Sequence, residues 1–198
     1  MMVDRIQYAK KLAAGKRVVD IGACATGVQA MPAFFRALSK ISSCCKSHVC
    51  VDSDPKADVI LELDAPDLSP LEAALAGCEI VLCMEVLEHL RNPGRVCDAI
   101  AAAVRRGATA FVTIPRASSA QLFLESRGFG PWWTRSTGHL YSFGAFHADN
   151  FMRKNFPGLR VTRFRCLGQY CRIWPLLWLA TLGRGISHGF LIERSGEG

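Results

Sequence analysis

Residues 17–27 read RVVDIGACATG. Arg17 to Ile21 is a short run rich in β-branched residues, the composition of a buried strand. Small residues follow from Gly22 to Gly27. Val28, Met31, Phe34, Phe35, Leu38 and Ile41 then recur close to the 3.6-residue period of a helix. A strand that passes through a small-residue turn into a helix opens a parallel α/β sheet. Such a turn lets backbone amides and the helix N-terminus approach a ligand closely. Alone it does not say which ligand, because dinucleotide enzymes use one too.

The same alternation continues outward. His48 to Asp52 predicts a second strand, and Val59 to Leu63 a third that ends at Asp64. Ser69, Pro70 and Glu72 have the spacing of a helix start, with Ser69 capping and Glu72 completing a capping box. Ile80 to Met84 is a fourth strand. Pro93 opens a helix that runs to about Arg106, with Gly107 placed for a left-handed cap. Ala108 to Ile114 is a fifth strand, stopped by Pro115. An irregular stretch from Arg116 to Thr137 precedes a helix near Ala148 to Lys154, and Leu159 to Cys166 and His188 to Glu193 are two late strands. With no internal repeat and no linker, residues 1–198 are expected to form one domain, with a small lid at about 116–150 and an apolar insertion at about 167–187.

Composition narrows the function classes. Of the 198 residues 50% are apolar and 21% charged, which fits a globular chain and argues against disorder. No apolar run approaches the roughly 20 residues that span a bilayer. Met1 to Lys11 lacks the apolar core of a secretory signal, so a cytoplasmic protein is expected. The nine cysteines contain no C-x-x-C pair, which excludes a zinc ribbon and a thioredoxin-type motif; reduced, mostly buried thiols are expected. Residues 1–90 carry 9 basic and 12 acidic side chains, and residues 91–198 carry 15 and 5. The arginines of the second half are scattered rather than interleaved with aromatics, so a solvated face is expected and nucleic acid is disfavoured as a partner.

Acids stand at successive strand ends. Asp20 lies in the first strand, Asp52 ends the second, where a carboxylate accepts hydrogen bonds from ribose hydroxyls, and Asp64 ends the third, placed for a base edge. Ligands of open α/β sheets bind at these carboxyl ends. Acids in solvated loops are the competing explanation.

VVDIGACATG, VDSDP, LELDAPDL and CMEVLEHLRNP, followed by Gly107–Pro115, together resemble the class I S-adenosylmethionine-dependent methyltransferases over about residues 1–165. The resemblance implies a Rossmann-like fold: a seven-stranded, mostly parallel sheet with helices on both faces and a small lid. It implies S-adenosylmethionine as cofactor and S-adenosylhomocysteine as product. Asp20 and Gly22, with Ala23, Cys24 and Gly27 of the turn, would surround the methionine end. Asp52 with Ser53 would hold the ribose, Asp64 with Ala65 the adenine edge, and Met84 and Glu85 would line the pocket. The family usually writes D-x-G-x-G-x-G, whereas Cys24 and Thr26 stand here where glycines are expected. Both are small, so a reshaped rather than a closed loop is expected; a non-catalytic binding or scaffold protein of the same fold is the alternative. A nicotinamide dehydrogenase would need G-x-G-x-x-G and a lysine four residues after Tyr141, and neither is present.

CMEVLEH is also similar to the corresponding block of the ubiquinone-biosynthesis O-methyltransferases, where Glu-x-x-Glu-His is associated with a divalent metal. Glu85, Glu88 and His89 would share a face if the segment were helical, and could then hold Mg²⁺, Mn²⁺ or Zn²⁺. The alternative has Glu88 bonded to backbone and His89 packed beside the sheet, and it is the reading preferred. His139 and His147 flank GHLYSFGAFH, which resembles the family's acceptor-covering segment; His139, and His89 beside it, are the catalytic candidates. Ile173 to Ala180, with Trp174 and Trp178, is bracketed by Arg163, Arg165, Arg172 and Arg184. A buried helix or homodimer contact is the preferred explanation, peripheral membrane contact the other. The expected partner is a small-molecule acceptor whose identity the sequence does not specify.

Overall fold

The computed structural model describes residues 2–22, 41–116, 140–141, 143–167 and 187–196. Its first element is one that the sequence patterning does not signal. Met2–Asp4 forms a three-residue strand, β1, paired in parallel with a strand near the other end of the chain, Val3 opposite Cys166. Asp4 then caps helix α1 (Arg5–Ala13), its carboxylate accepting from the Ile6 and Gln7 amides at 3.1 Å. Three residues are too few to show a period, and the pairing is wholly non-local.

The strands that follow are β2 (Arg17–Ile21), β3 (Ser47–Asp52), β4 (Val59–Ile60), β5 (Ile80–Met84), β6 (Thr109–Pro115), β7 (Leu159–Leu167) and β8 (Ser187–Arg194). The helices are α2 (Ser69–Ala74), α3 (Pro93–Arg105) and α4 (Ala145–Asn155), with a single 3-10 turn at Leu87–His89. Among the described residues the sheet therefore has eight strands rather than the expected seven, in the order β1-β7-β8-β6-β5-β2-β3-β4. Only β8 runs antiparallel, against both β6 and β7. The mostly parallel α/β architecture is as the patterning implied.

Period-two alternation sorts the core into two faces. Val18, Ile80, Leu82, Met84, Phe111 and Cys166 pack with Ile6, Ala9 and Ala13 of α1. Val19, Ile21, Val81, Cys83, Val112 and Ile114 pack on the opposite face with residues of α2, α3 and α4. Gly107, at φ 111°, ends α3 as a left-handed cap.

Two local expectations are corrected. β4 stops at Ile60 instead of reaching Leu63, because it is an edge strand paired with β3 through Val59 and Ile60 alone. Ser69 does not cap α2. Asp67 does the local bonding instead, its two carboxylate oxygens accepting from the Ser69 amide at 2.9 Å and hydroxyl at 3.0 Å, while Leu68 occupies the cap position. Cys50, Cys83, Cys97 and Cys166 are buried free thiols, and burial pushes Cys97 and Cys166 up to about 12. Among the described residues no helix is long and apolar enough to cross a membrane. Most of the expected lid, and the apolar insertion with Trp174 and Trp178, lie outside the described residues.

Candidate functional site

The strand order reverses between β2 and β5. From β2 the sheet grows outward through β3 and β4, and from β5 it grows the other way through β6. Crossovers therefore leave the carboxyl ends of these two neighbours in opposite directions, opening a crevice where ligands of such sheets bind. Gly22 stands at its base. It follows β2 with φ 73°, and its amide donates to the Val51 carbonyl at 2.8 Å. A Cβ there would sit 2.5 Å from Val86 Cγ2. Left-handed backbone and lack of room both demand glycine. The start of the small-residue turn and the block after β5 are thus in van der Waals contact. Ala23, Cys24 and Gly27 lie outside the described residues.

The acids expected at the strand ends have different surroundings, and with β4 ending at Ile60 Asp64 stands in the loop beyond it. Asp20 is 2% exposed and turns across the β2–β3 pair, with His48 Nε2 3.4 Å from its carboxylate; burial raises its pKa and His48 opposes that rise. Asp52, 9% exposed, ends β3 and accepts from the Asp54 amide at 3.1 Å. Asp54 is also buried. One of its oxygens accepts from the Lys56 amide at 2.7 Å, and the other has no hydrogen-bond partner among the described residues. Ser53 between them is exposed. Asp64 accepts from the Arg91 amide at 2.9 and 3.0 Å and from the Asn92 amide at 3.2 Å. Arg95 donates to the Ala65 and Pro66 carbonyls. The third-strand segment and the block after β5 are in this way tied into one wall.

The carboxyl end of β5 carries the densest polar cluster. Met84 is buried at the last strand position. Glu85 has φ 60°, the one positive φ among the described non-glycine residues. Such a backbone persists where its surroundings hold it. Here the Glu85 amide donates to the Thr113 carbonyl at 2.9 Å, its carboxylate accepts from Thr113 Oγ1 at 2.9 Å, and Arg5 Nη1 lies 3.1 Å from the same oxygen. Arg5 also reaches Ser187 Oγ at 3.4 Å, joining the start of β8 to the end of β5.

Glu88 is fully buried. Its pKa is pushed up to about 9, first by burial and then by the Glu85 charge, so it is protonated at neutral pH. Its backbone carbonyl accepts from the amides of Leu140 at 2.7 Å and Tyr141 at 3.3 Å, and Tyr141 Oη donates to the Arg91 carbonyl at 3.0 Å. The far end of the expected lid is docked on this block. The premise that Glu85, Glu88 and His89 share a helical face is corrected. Only Leu87–His89 turn, as a 3-10 helix, and Glu85 precedes it in a left-handed conformation, held by Arg5 and Thr113. No group of three or more His, Cys, Asp or Glu among the described residues is arranged to hold a metal ion. His89 is exposed, its Nε2 3.9 Å from Glu88 Oε1, and His139 lies outside the described residues.

Arg5, Thr113 and His188 are site-edge residues that the sequence reading passed over. Each lies in an ordinary helix or strand pattern, and only the strand pairing brings it to the carboxyl edge.

A family model for a methyltransferase domain matches residues 2–155. The chain belongs to that family. Its fold is that of the class I S-adenosylmethionine-dependent methyltransferases, and solved structures resemble it over nearly its full length. The small RNA methyltransferase HEN1 aligns at 14% identity and TM-score 0.60, over 98% of this chain and 25% of that one, so this methyltransferase spans a quarter of HEN1's length. An S-adenosylmethionine-dependent methyltransferase from Mesorhizobium loti aligns at 12% and 0.56, over 96% of both chains. The plantazolicin methyltransferase BpumL, in complex with a substrate analogue and S-adenosylhomocysteine, aligns at 9% and 0.57, over 96% and 84%. At these identities the likeness is one of fold. No curated protein matches the methyltransferase in sequence.

Proposed function

We propose that this methyltransferase moves the methyl group of S-adenosylmethionine to an oxygen of a small or lipophilic acceptor lying over the ends of β5 and β6. One observation carries the cofactor half: the crevice at the β2/β5 switch point has a left-handed Gly22 at its base and the nearly buried Asp52 carboxylate beside it. The donor set fits a nucleoside. Asp52, with Ser53 next to it, is assigned to the ribose hydroxyls, and the oxygen of Asp54 with no partner among the described residues adds a buried acceptor on the same loop. Asp64 accepts from two amides, that of Arg91 shared between its two oxygens, which leaves acceptor capacity for the adenine edge beside Ala65. Met84 and Glu85 form the wall toward the methyl group. Asp20, Gly22, Ala23, Cys24 and Gly27 are assigned to the methionine end.

The bound cofactor supplies a sulfonium-activated methyl, so the protein's task is alignment and exclusion of water. Proton removal from the acceptor falls to a histidine. Glu88 is protonated at neutral pH and Glu85 is committed to Arg5 and Thr113, which leaves His89 and His139 as the candidate bases. Leu140, Tyr141 and Phe146 expose large apolar surface next to this edge, which supports an acceptor with an apolar body.

S-adenosylhomocysteine is expected to raise the melting temperature, as a ligand bound only by the folded state must. Asp52→Ala should weaken that binding by about 1.5–3 kcal/mol, the value of a hydrogen bond to a charged group. Equal affinity of wild type and variant would remove Asp52 from the ribose. No stabilisation at millimolar ligand would favour the scaffold alternative, for which the altered glycine turn is the motive.

A further inference from the structure

Beyond the crevice, the same carboxyl edge holds a second recess of ≈ 210 Å³, lined among the described residues by Arg116, Ala145, Arg163, Arg165 and His188. Arg116 follows β6, Arg163 and Arg165 project from β7, His188 opens β8, and Ala145 begins α4. In the register, His188 lies opposite both Ile114 and Arg165, and Thr113 lies opposite Met84. The recess is therefore two strands from β5, or roughly 10 Å at ~4.8 Å per strand spacing. One small molecule spans that distance.

The chemistry of the recess is that of an anion site. Three arginines face it, and among the described residues Asp149 pairs with Arg163 at 2.7 Å. The N-terminus of the 11-residue α4 opens onto it at Ala145, behind Gly144, with no side-chain cap among the described residues. The second sign is His188. It is 4% exposed, lines the recess, and its Nε2 has no hydrogen-bond partner among the described residues. The ring is held through the Phe143 backbone, while burial and then the charges of Arg116 and Arg163 lower its pKa. A buried, unpartnered ring nitrogen among arginines costs stability unless a ligand satisfies it. Guanidinium forks suit the oxygens of a phosphate.

We propose that this recess binds the phosphate of the methyl acceptor, so that the acceptor is a phosphate monoester whose hydroxyl lies at the β5 edge. Its role as acceptor site rests on the transferase function proposed above; the binding of phosphate does not. Arg116 and Arg165 supply charge-assisted bonds and the open helix end adds backbone donors. His188 Nε2 accepts from a phosphate hydroxyl, or donates to the dianion once the incoming charge lets the ring protonate. Phe146, 73% exposed next to Ala145, offers apolar surface to the rest of the acceptor.

The test follows the histidine ring resonances of the full-length protein, labelled with ¹⁵N-histidine, during titration with inorganic phosphate and with phenyl phosphate at constant ionic strength. The His188 ring is expected to shift saturably with both and not with acetate. Arg165→Gln and Arg116→Gln should each weaken the titration by about tenfold or more, while keeping the melting-temperature rise with S-adenosylhomocysteine that shows the variants folded. Absence of a saturable His188 shift in the wild type overturns the proposal, as does equal affinity in both variants. A response to acetate as strong as to phosphate overturns the dianion assignment. Loss of the S-adenosylhomocysteine response in the wild type alone would instead refute the transferase function and leave the phosphate result standing. Sedimentation with phosphatidylcholine vesicles, with and without phosphatidic acid, identifies the source: binding that phenyl phosphate competes away supports a lipid headgroup, and phosphate titration without vesicle binding supports a soluble monoester.

Discussion

Replacing Glu88 by glutamine should change the pH dependence of stability more than stability itself. Glu88 is fully buried in the turn after β5, and its pKa is raised from 4.5 to about 9 by burial and the Glu85 charge. A carboxyl whose folded pKa lies above its unfolded one makes no linkage contribution below about 4.5, where both states are protonated. As pH rises, the unfolded chain ionises and the folded one does not. Stability therefore falls by up to about 1.4 kcal/mol per pH unit until the folded group ionises near 9. Between pH 5 and pH 7 this amounts to about 2.5 kcal/mol, a large share of the 5–15 kcal/mol typical of a domain. Glutamine keeps the shape and removes the titration. Urea melts from pH 5 to 8 should show wild type losing stability relative to Glu88→Gln, with the difference widening steadily. Curves that run parallel across this range would refute the assignment of a neutral, buried Glu88.

Gly22→Ala should destabilise by about 1–2 kcal/mol for the left-handed backbone and by a further ~1–3 kcal/mol for the clash with Val86. Val86→Ala in the same chain should relieve only the second part, and an equal cost of Gly22→Ala with and without it would refute the contact. A double-mutant cycle of Arg5→Met with Glu85→Gln should give a coupling of about 1–3 kcal/mol in denaturant melts, because both groups are largely buried. A coupling near zero would mean that Thr113 alone holds the Glu85 conformation.

Much of the site's scaffold follows from local patterns. The run Arg17–Ile21, the strands ending at Asp52 and Met84, and the Gly107 cap each depend on neighbours a few residues away, so period and composition reveal them. The edges are less legible. β4 is shorter than its apolar run because it has one partner strand, and Asp67 rather than Ser69 organises the start of α2 because its carboxylate takes both the Ser69 amide and the Ser69 hydroxyl.

The sequence by itself determined the alternation of strands and helices and the acid that ends β3, since these are written in short-range periodicity and residue size. Tertiary structure decided the rest. It recruited Met2–Asp4 as an eighth strand, broke the helical register assumed for Glu85, Glu88 and His89, and raised the Glu88 pKa. It also gathered Arg116, Arg163, Arg165 and His188 around one recess. Each of these depends on strand pairing between distant segments and on the removal of water from polar groups. No local pattern encodes such pairing, because the free energy that fixes it arises only once the sheet has closed around those groups.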